Sequence, residues 1–367
     1  MESKKNMDLL SKAKPWVVAS MLAATSLFGQ QDKCRPQKSY EQSGDMAQAQ
    51  MTPGYNAPAR IDVRGSWDVY VTGSFIYFQP TQDNMEVGFE ATTAGSATLP
   101  VAGSVVNMGS SYKPGFKVGL GMNFDYDNWD AFAEYTRLHC TESASATAPT
   151  GGALYSYTHP PGDAGSTTSF SSLSDSWRLN MDLLDFQMAR ASYVGTKLTV
   201  RSHFGARAAW ITQRRSTEGT ELTATTTEHE KVTSWGLGLR AGMQSDWNLG
   251  CGFRFFGNGA ADLLFTQYQW SATSYDPVNS EIADLSASQS DLNTVRPHAD
   301  LEFGFGWGSY FDNNNWHVDF AAGYGFQVFW DQNMFRRFYS TVRPGLSYTD
   351  QGNLYLQGLT ITARLDF

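Results

Sequence analysis

The sequence is short of charge, lysine, cysteine and long apolar runs, and each shortage narrows what the chain can be. Charged residues make up 17% of its 367 positions, while aromatics reach 14% and glycines number 34. A disordered chain would be rich in charge and poor in aromatics, so that class is excluded. Only 10 lysines are present and the formal net charge is −9, which removes the basic stripe that a nucleic-acid binder needs. No apolar run reaches the roughly 18 residues of a membrane-spanning helix. Strands that alternate apolar and polar residues average to a hydrophilic mean hydropathy, so a membrane protein built from strands is not excluded. A secreted all-β protein and a transmembrane β-barrel remain.

The N-terminus chooses the compartment. Lys4, Lys5, Lys12 and Lys14 precede an apolar stretch from Trp16 to Phe28 that ends at Gly29-Gln30. A basic region, a short apolar core and a small residue at the cut make a Sec signal peptide over residues 1–29. Cys34 follows Gln31-Asp32-Lys33, which is not a lipidation sequence. Residues 30–66 are polar and aperiodic, and are expected to form a disordered periplasmic leader. Three cysteines, Cys34, Cys140 and Cys251, are an odd number in an exported chain, so at least one is unpaired or bonds another molecule. Cys34 and Cys251 are expected on the periplasmic side, with Cys140 at an outer strand end.

From Trp67 onward the dominant period is 2. Leu359, Ile361, Ala363, Leu365 and Phe367 alternate with Thr360, Thr362, Arg364 and Asp366, which gives a strand one apolar face. Similar rows run from Val295 to Trp307, Trp316 to Trp330, Phe116 to Phe124 and Trp235 to Trp247. Soluble strands average about 5–6 residues, whereas a tilted strand needs about 9–11 to cross a bilayer. Tryptophans at both ends of the rows match aromatic girdles at two membrane interfaces.

The pattern predicts an all-β fold, a transmembrane antiparallel up-and-down β-barrel, with ten strands at 67–79, 114–125, 128–140, 177–193, 197–213, 231–247, 259–271, 294–308, 315–331 and 353–367. Parity breaks around Leu183-Leu184, which predicts a β-bulge there. Long extracellular loops (80–113, 141–176, 214–230, 272–293, 332–352) alternate with short periplasmic turns. Segments Met85–Glu90, Thr98–Asn107 and Leu154–His159 each have strand character, so 12 to 16 strands stay open. Phe367, an aromatic ending the closing strand, is the feature that barrel-assembly machinery reads.

If the apolar rows face lipid, the opposite parity lines the lumen. That assigns to the pore Lys117, Arg178, Asp182, Arg201, His203, Arg207, Arg240, Arg296, His298, Asp300, Glu302, His317, Asp319 and Arg364. Charges of both signs can hold a hydrated passage, or pair into a network that plugs a narrow barrel. Other motifs are weaker. Gly304 to Gly308 lacks the strand-turn-helix context of a dinucleotide loop. Asp125, Asp127, Asn128 and Asp130 lack an EF-hand's glycine and closing glutamate and read as turn formers. Glu228-His229-Glu230 reads as a solvated cluster.

Several runs resemble a known family. Trp67-Asp68-Val69-Tyr70-Val71-Thr72 with Phe75-Ile76-Tyr77-Phe78, and Pro114 to Gly121 with Asn128-Trp129-Asp130 and Glu134-Tyr135-Thr136, are similar to strands of the Legionella-type pore-forming outer-membrane proteins, related in kind to chlamydial major outer-membrane proteins. His203 to Arg207 with Ala209-Trp210-Ile211 resembles a further segment. The resemblance spans most of residues 67–367, implies a porin-like channel in the outer membrane of a Gram-negative envelope, and supplies no residue roles.

The reading that results is a porin for passive ion transport and diffusion of small hydrophilic solutes, with no enzyme activity, cofactor or metal. The alternatives are an outer-membrane enzyme such as a lipase, acyltransferase or protease, against which His203, His298 and His317 fall on the lumen parity, and a non-conducting structural barrel or surface adhesin acting through its long loops. Expected partners are outer-membrane lipid, barrel-assembly machinery, small solutes and ions, and disulfide partners in the envelope through Cys34, Cys140 or Cys251. Nucleic acid is excluded, and a homo-oligomer stays open.

Overall fold

In a computed structural model, the described residues are 59–65, 67–92, 102–158, 169–221, 224–275, 284–338, 347–349 and 351–367. All fall within one compact unit, Asn56–Phe367. The expected signal peptide, and the leader up to residue 58, lie outside them.

Ten antiparallel strands close a barrel: β1 (Val69–Gln82), β4 (Lys113–Asn123), β5 (Trp129–Thr147), β7 (Ser172–Tyr193), β8 (Leu198–Glu221), β9 (Ala224–Gly250), β10 (Phe253–Tyr275), β11 (Asp284–Phe311), β12 (Trp316–Asn333) and β15 (Gly352–Asp366). Each pairs with the next along the chain, and β15 returns to β1 with Tyr70 opposite Asp366 and Tyr77 opposite Leu359. Both chain ends of the barrel are therefore on the side of the short turns.

Those turns follow local chemistry. Asp127 and Asn128 have φ of 54° and 55°, and Cys251 and Gly252 have 54° and 81°. Consecutive left-handed residues match the right-handed twist of a hairpin. The acidic run beginning at Asp125 is thus a turn, and Arg190 donates to Asp127 Oδ1 at 2.9 Å. Between Asp312 and Asn315 a single 3-10 turn makes the β11–β12 connection.

On the opposite side, two expected loops are strand. β8 and β9 stay paired from Leu198 opposite Trp247 out to Glu221 opposite Ala224, so 214–221 and 224–230 form a hairpin arm. β10 and β11 extend the same way, to Tyr275 opposite Asp284, which converts much of 272–293. The described parts of the segments that leave the strand count open contain strands outside the barrel. β2 (Glu86–Ala91) pairs with β3 (Gly103–Asn107) and β6 (Ala153–Ser156), while β13 (Arg336–Phe338) pairs with β14 (Ser347–Thr349).

The expected bulge at Leu183-Leu184 is absent: β7 pairs with β5 and β8 without a register shift. What changes there is the face that is apolar. Toward the short turns, Leu184, Phe186, Phe204, Trp235, Leu237, Leu239 and Met243 point outward and are exposed. Farther out, Trp177, Leu179, Met181, Leu183, Ile211 and Val232 point inward and are buried. An uninterrupted strand passes from a segment with lipid outside and polar groups inside to one with water outside and an apolar core inside.

Trp210 and Trp235 stand opposite each other at this boundary, and Trp247 lies toward the other end of β9. From Trp235 to Trp247 the strand covers roughly 40 Å at about 3.3 Å per residue, or about 28 Å along the barrel axis at a tilt of about 45°. That is the height of a membrane-facing band. Residues 224–234 of β9 project beyond it.

Candidate functional site: the barrel interior

Alternation aims every second residue of each strand into the barrel, and the interior divides into two parts. The half toward the short turns holds a polar cavity of about 490 Å³. Of the residues assigned to the pore from sequence, Lys117, Arg201, His203, Arg207, Arg240, Asp300, Glu302, His317, Asp319 and Arg364 line it. Arg296 and His298 face inward but sit off the cavity. Arg296 is sealed by Asp331 (3.1 Å), Met334 and the ring of Tyr268.

Arg178 and Asp182 are corrections. Both face outward, because β7 carries its apolar row (Trp177, Leu179, Met181, Leu183) on the inner side above the lipid band. Arg178 is exposed, and Asp182 accepts bonds from the Tyr135 hydroxyl at 2.6 Å and His139 Nε2 at 2.9 Å.

The upper limit of the cavity is an ionic layer spread over five strands. Asp185 on β7 stands directly opposite Arg207 on β8; Arg240 on β9 faces Asp262 on β10, which faces His298 on β11. Arg207 grips Asp185 with two bonds (2.5 and 2.6 Å) and reaches Asp262 at 3.0 Å. Arg240 donates to Asp262 (2.8 Å) and Asp300 (2.7 Å), and His298 Nδ1 donates to Asp262 at 2.5 Å. Bidentate, charge-assisted bonds of this kind fix geometry strongly.

Asp262, His298 and Asp300 offer ligand atoms within 4.8 Å of one another. Two guanidinium groups already compensate these carboxylates, which makes the cluster an ion-pair layer rather than a cation site. Nearer the short turns, Arg201 pairs with Asp130, Arg254 with Asp319 and Asp246, and His317 and Arg364 with Asp366. Asp130, Glu134, Asp185, Asp246, Arg254 and Asp262 are cavity or network residues that were not picked out from sequence. Continuing strict parity through β5, β9 and β10 finds all of them but Asp185, which has the opposite parity on β7 to Arg178 and Asp182.

Among the described residues, several side-chain atoms beside the cavity have no protein partner: Thr72 Oγ1, Gln187 Oε1, both ring nitrogens of His203, Arg240 Nε, Gln327 Oε1 and Thr360 Oγ1. Buried polar groups demand partners, so the cavity is built for water or a polar solute. Its mouth is crossed by residues 59–65, which the sequence assigns to the leader. The Ala59 N–H donates to Ala191 O, Arg60 Nη1 to Phe124 O at 3.4 Å, and the Arg64 N–H to Asn314 O.

The outer half is filled. Phe78, Trp177, Tyr268, Trp270, Phe329, Leu354 and Leu356 come from the wall, and Met85, Met334 and Phe335 come from connecting segments. Trp177 Nε1 donates to Gln213 and the Tyr268 hydroxyl to Gln332 (both 3.0 Å), so these rings satisfy their polar atoms internally. Cys140, expected at an outer strand end, is free and buried in this core. Cys251 is disulfide-bonded.

Beyond the lipid band a second polar layer caps the core. Arg215 pairs with Asp175 at 2.6 Å, and Glu230 accepts from Trp270 Nε1 (3.0 Å) and the Arg336 N–H (3.2 Å). Glu228 and Glu230 are buried, contrary to the expectation of a solvated cluster, because they occupy the inward parity of the β9 arm. Burial and the neighbouring Glu230 push the Glu228 carboxyl up to about 8; burial, opposed by the Trp270 bond, leaves Glu230 at about 7. His229 points outward, where its Nδ1 lies 2.9 Å from Ser216 Oγ. No carboxylate orients that ring among the described residues, and the pair lacks the third group of a nucleophilic triad.

A family model described as Legionella pneumophila major outer membrane protein precursor matches residues 62–367. No curated protein matches. Among solved structures, the outer-membrane protease OmpT of Escherichia coli is similar at 8% identity over 82% of this chain and 96% of its own, with a TM-score of 0.37. A Pseudomonas aeruginosa FadL homologue is similar at 6% identity, over 82% and 89%, with a TM-score of 0.25. The toluene transporter TodX of P. putida gives 7% identity, the same coverages and a TM-score of 0.21. Those identities and scores carry no residue role or activity over to this chain.

Proposed function

The chain belongs to the Legionella major outer membrane protein family and is an outer-membrane β-barrel, and from that premise we propose that it is a porin whose structure is a closed state. The observation that carries this reading is the polar cavity, which runs from the short-turn mouth to the Arg207–Asp262–Arg240 layer and is bordered by polar atoms in need of partners. Passage is passive and uses no catalytic group. Solutes would cross the charged vestibule, with both signs of charge along the wall, and leave outward once the apolar filling moves aside. Two of the filling side chains, Met334 and Phe335, belong to a connecting segment and not to the wall, which makes that segment the gate. At the closing seam the Phe367 ring lies 5.9 Å from Trp316.

One observation favours a second reading, a non-conducting structural barrel. Trp177, Tyr268 and Phe329 also fill the outer half, and they are anchored in the wall. Single-channel recording of the refolded protein in a planar bilayer under a salt gradient separates the two. The porin reading expects brief openings of the unaltered protein, and a higher open fraction when Met334 and Phe335 are both replaced by glycine. Silence from both correctly folded proteins supports the structural barrel and overturns the porin.

A further inference from the structure

The outward surface above the lipid band carries a charged feature that the interior does not explain. Arg178 on β7, Arg214 on β8 and Lys231 on β9 stand opposite one another in register across three adjacent strands. All three are exposed. Among the described residues, no carboxylate forms a salt bridge or hydrogen bond with any of them; the nearby outward Asp182 is held by Tyr135 and His139. The next outward carboxylate, Glu218, lies four residues beyond Arg214 on β8.

Like charges directly opposite on neighbouring strands destabilise a sheet. A row of three without a counter-charge is a feature that an external anion would relieve. Immediately beyond it, Ser176, Ser216, His229 and Thr273 form a second in-register row, so hydroxyl and imidazole groups border the cations. The two rows line a surface cleft of about 350 Å³.

Depth decides which anion fits. The row lies four residues outward of the Trp210–Trp235 pair, about 13 Å along the strand and about 9 Å along the barrel axis at a tilt of about 45°. Tryptophan pairs of this kind mark the edge of the hydrocarbon, so the cations stand at headgroup level in the outer leaflet. Arginine presents paired donors that match phosphate oxygens, and lysine adds a point charge.

We infer that Arg178, Arg214 and Lys231 form a binding site for the phosphate of an outer-leaflet lipid headgroup, with Ser216 and His229 contacting the adjoining polar groups of the same lipid. The acyl chains would then lie along the apolar outer face below, past Trp210 and Trp235.

The test uses the whole refolded protein in neutral detergent micelles, titrated with bis-phosphorylated lipid A, with the same lipid stripped of its phosphates, and with inorganic phosphate. The phosphorylated lipid should bind at least ten times more tightly than the stripped form, and weaken as salt rises. A cation near a charged membrane surface contributes about fivefold in affinity, so the triple variant Arg178→Gln/Arg214→Gln/Lys231→Gln should lose on the order of 100-fold. Its barrel should remain folded by heat-modifiable gel mobility; if it does not, the single variant Lys231→Gln should still show about fivefold weaker binding. Equal binding of the phosphorylated lipid by the variants and the unaltered protein would overturn the site. Displacement of the lipid by an equal concentration of inorganic phosphate would overturn the lipid as its source and leave a free-anion site.

Discussion

The same strands are built in opposite senses at their two ends. Near the short turns, β7 turns Leu184 and Phe186 outward and Asp185 and Gln187 inward; farther out it turns Arg178 and Asp182 outward and Trp177, Leu179, Met181 and Leu183 inward. Geometry is constant, since register with β5 and β8 never slips. What differs is the medium outside: hydrocarbon in one part and water in the other. The apolar row therefore marks the side facing away from water, and that side swaps when the strand leaves the bilayer. Alternation alone finds the strand and cannot say which of its faces is inside.

The sharpest way to break this comparison is to remove an inward aromatic from the outer part. Trp177→Ala should cost about 3–5 kcal/mol, the range for a fully buried tryptophan, measured by urea unfolding of the protein in lipid vesicles. A loss below about 1 kcal/mol would mean that the outer core is not packed as a protein interior.

A charge placed on the outward face should be felt in one part and not in the other. Leu239→Arg, within the lipid band and 78% exposed, should cost about 2–4 kcal/mol. Thr212→Arg, also outward but beyond Trp210 on β8, should stay within about 0.5 kcal/mol. Equal costs for the two would move the membrane boundary.

The outer cap should also respond to pH. Glu228 and Glu230 have their carboxyls raised in the folded chain, so the fold favours the protonated forms. The stabilisation is fully present below the ordinary carboxyl range and is lost as pH rises through about 7 to 8. Amide exchange around Trp177–Leu183 and Val232 should accelerate between pH 5.5 and 8.5 by an amount on the order of 1–2 kcal/mol. Glu228→Gln should flatten that change, while exchange near Asp185 and Arg207 should be less affected. An unaltered slope in the variant would remove Glu228 as the cause.

The smallest effect belongs to the exposed cations. In detergent without phosphorylated lipid, Arg178→Gln should change stability by no more than about 0.5 kcal/mol, because among the described residues its side chain has no partner to lose. A larger loss would show an internal role that its outward position does not predict.

Much of this was legible in the sequence. Every barrel strand was found by period 2, because Trp235 to Trp247 or Trp316 to Trp330 repeat one parity longer than a soluble strand would. Ten inward residues of the cavity, from Lys117 to Arg364, followed from the same parity. The arms at 214–221, 224–230, 272–275 and 284–293 escape the periodicity because, outside the membrane, they carry polar side chains on both faces and the apolar contrast fades. Glu228 and Glu230 illustrate the cost: polar residues suggested solvent, yet the hairpin arm turns them into the barrel. Arg178 and Asp182 were misplaced because one rule, apolar outward, was carried past the point where the solvent changed.

The sequence by itself determined the strands, their order, the export to an outer membrane and the polar character of the inner half, because side-chain alternation and membrane-length rows are local properties of the chain. Only the tertiary structure decided that the outer half is filled and that Arg207, Asp262 and Arg240 close into one layer. It alone placed Arg178, Arg214 and Lys231 in a single outward row. Those facts depend on register between strands far apart in sequence, and on where the closed barrel passes from hydrocarbon to water; neither is written in any single strand.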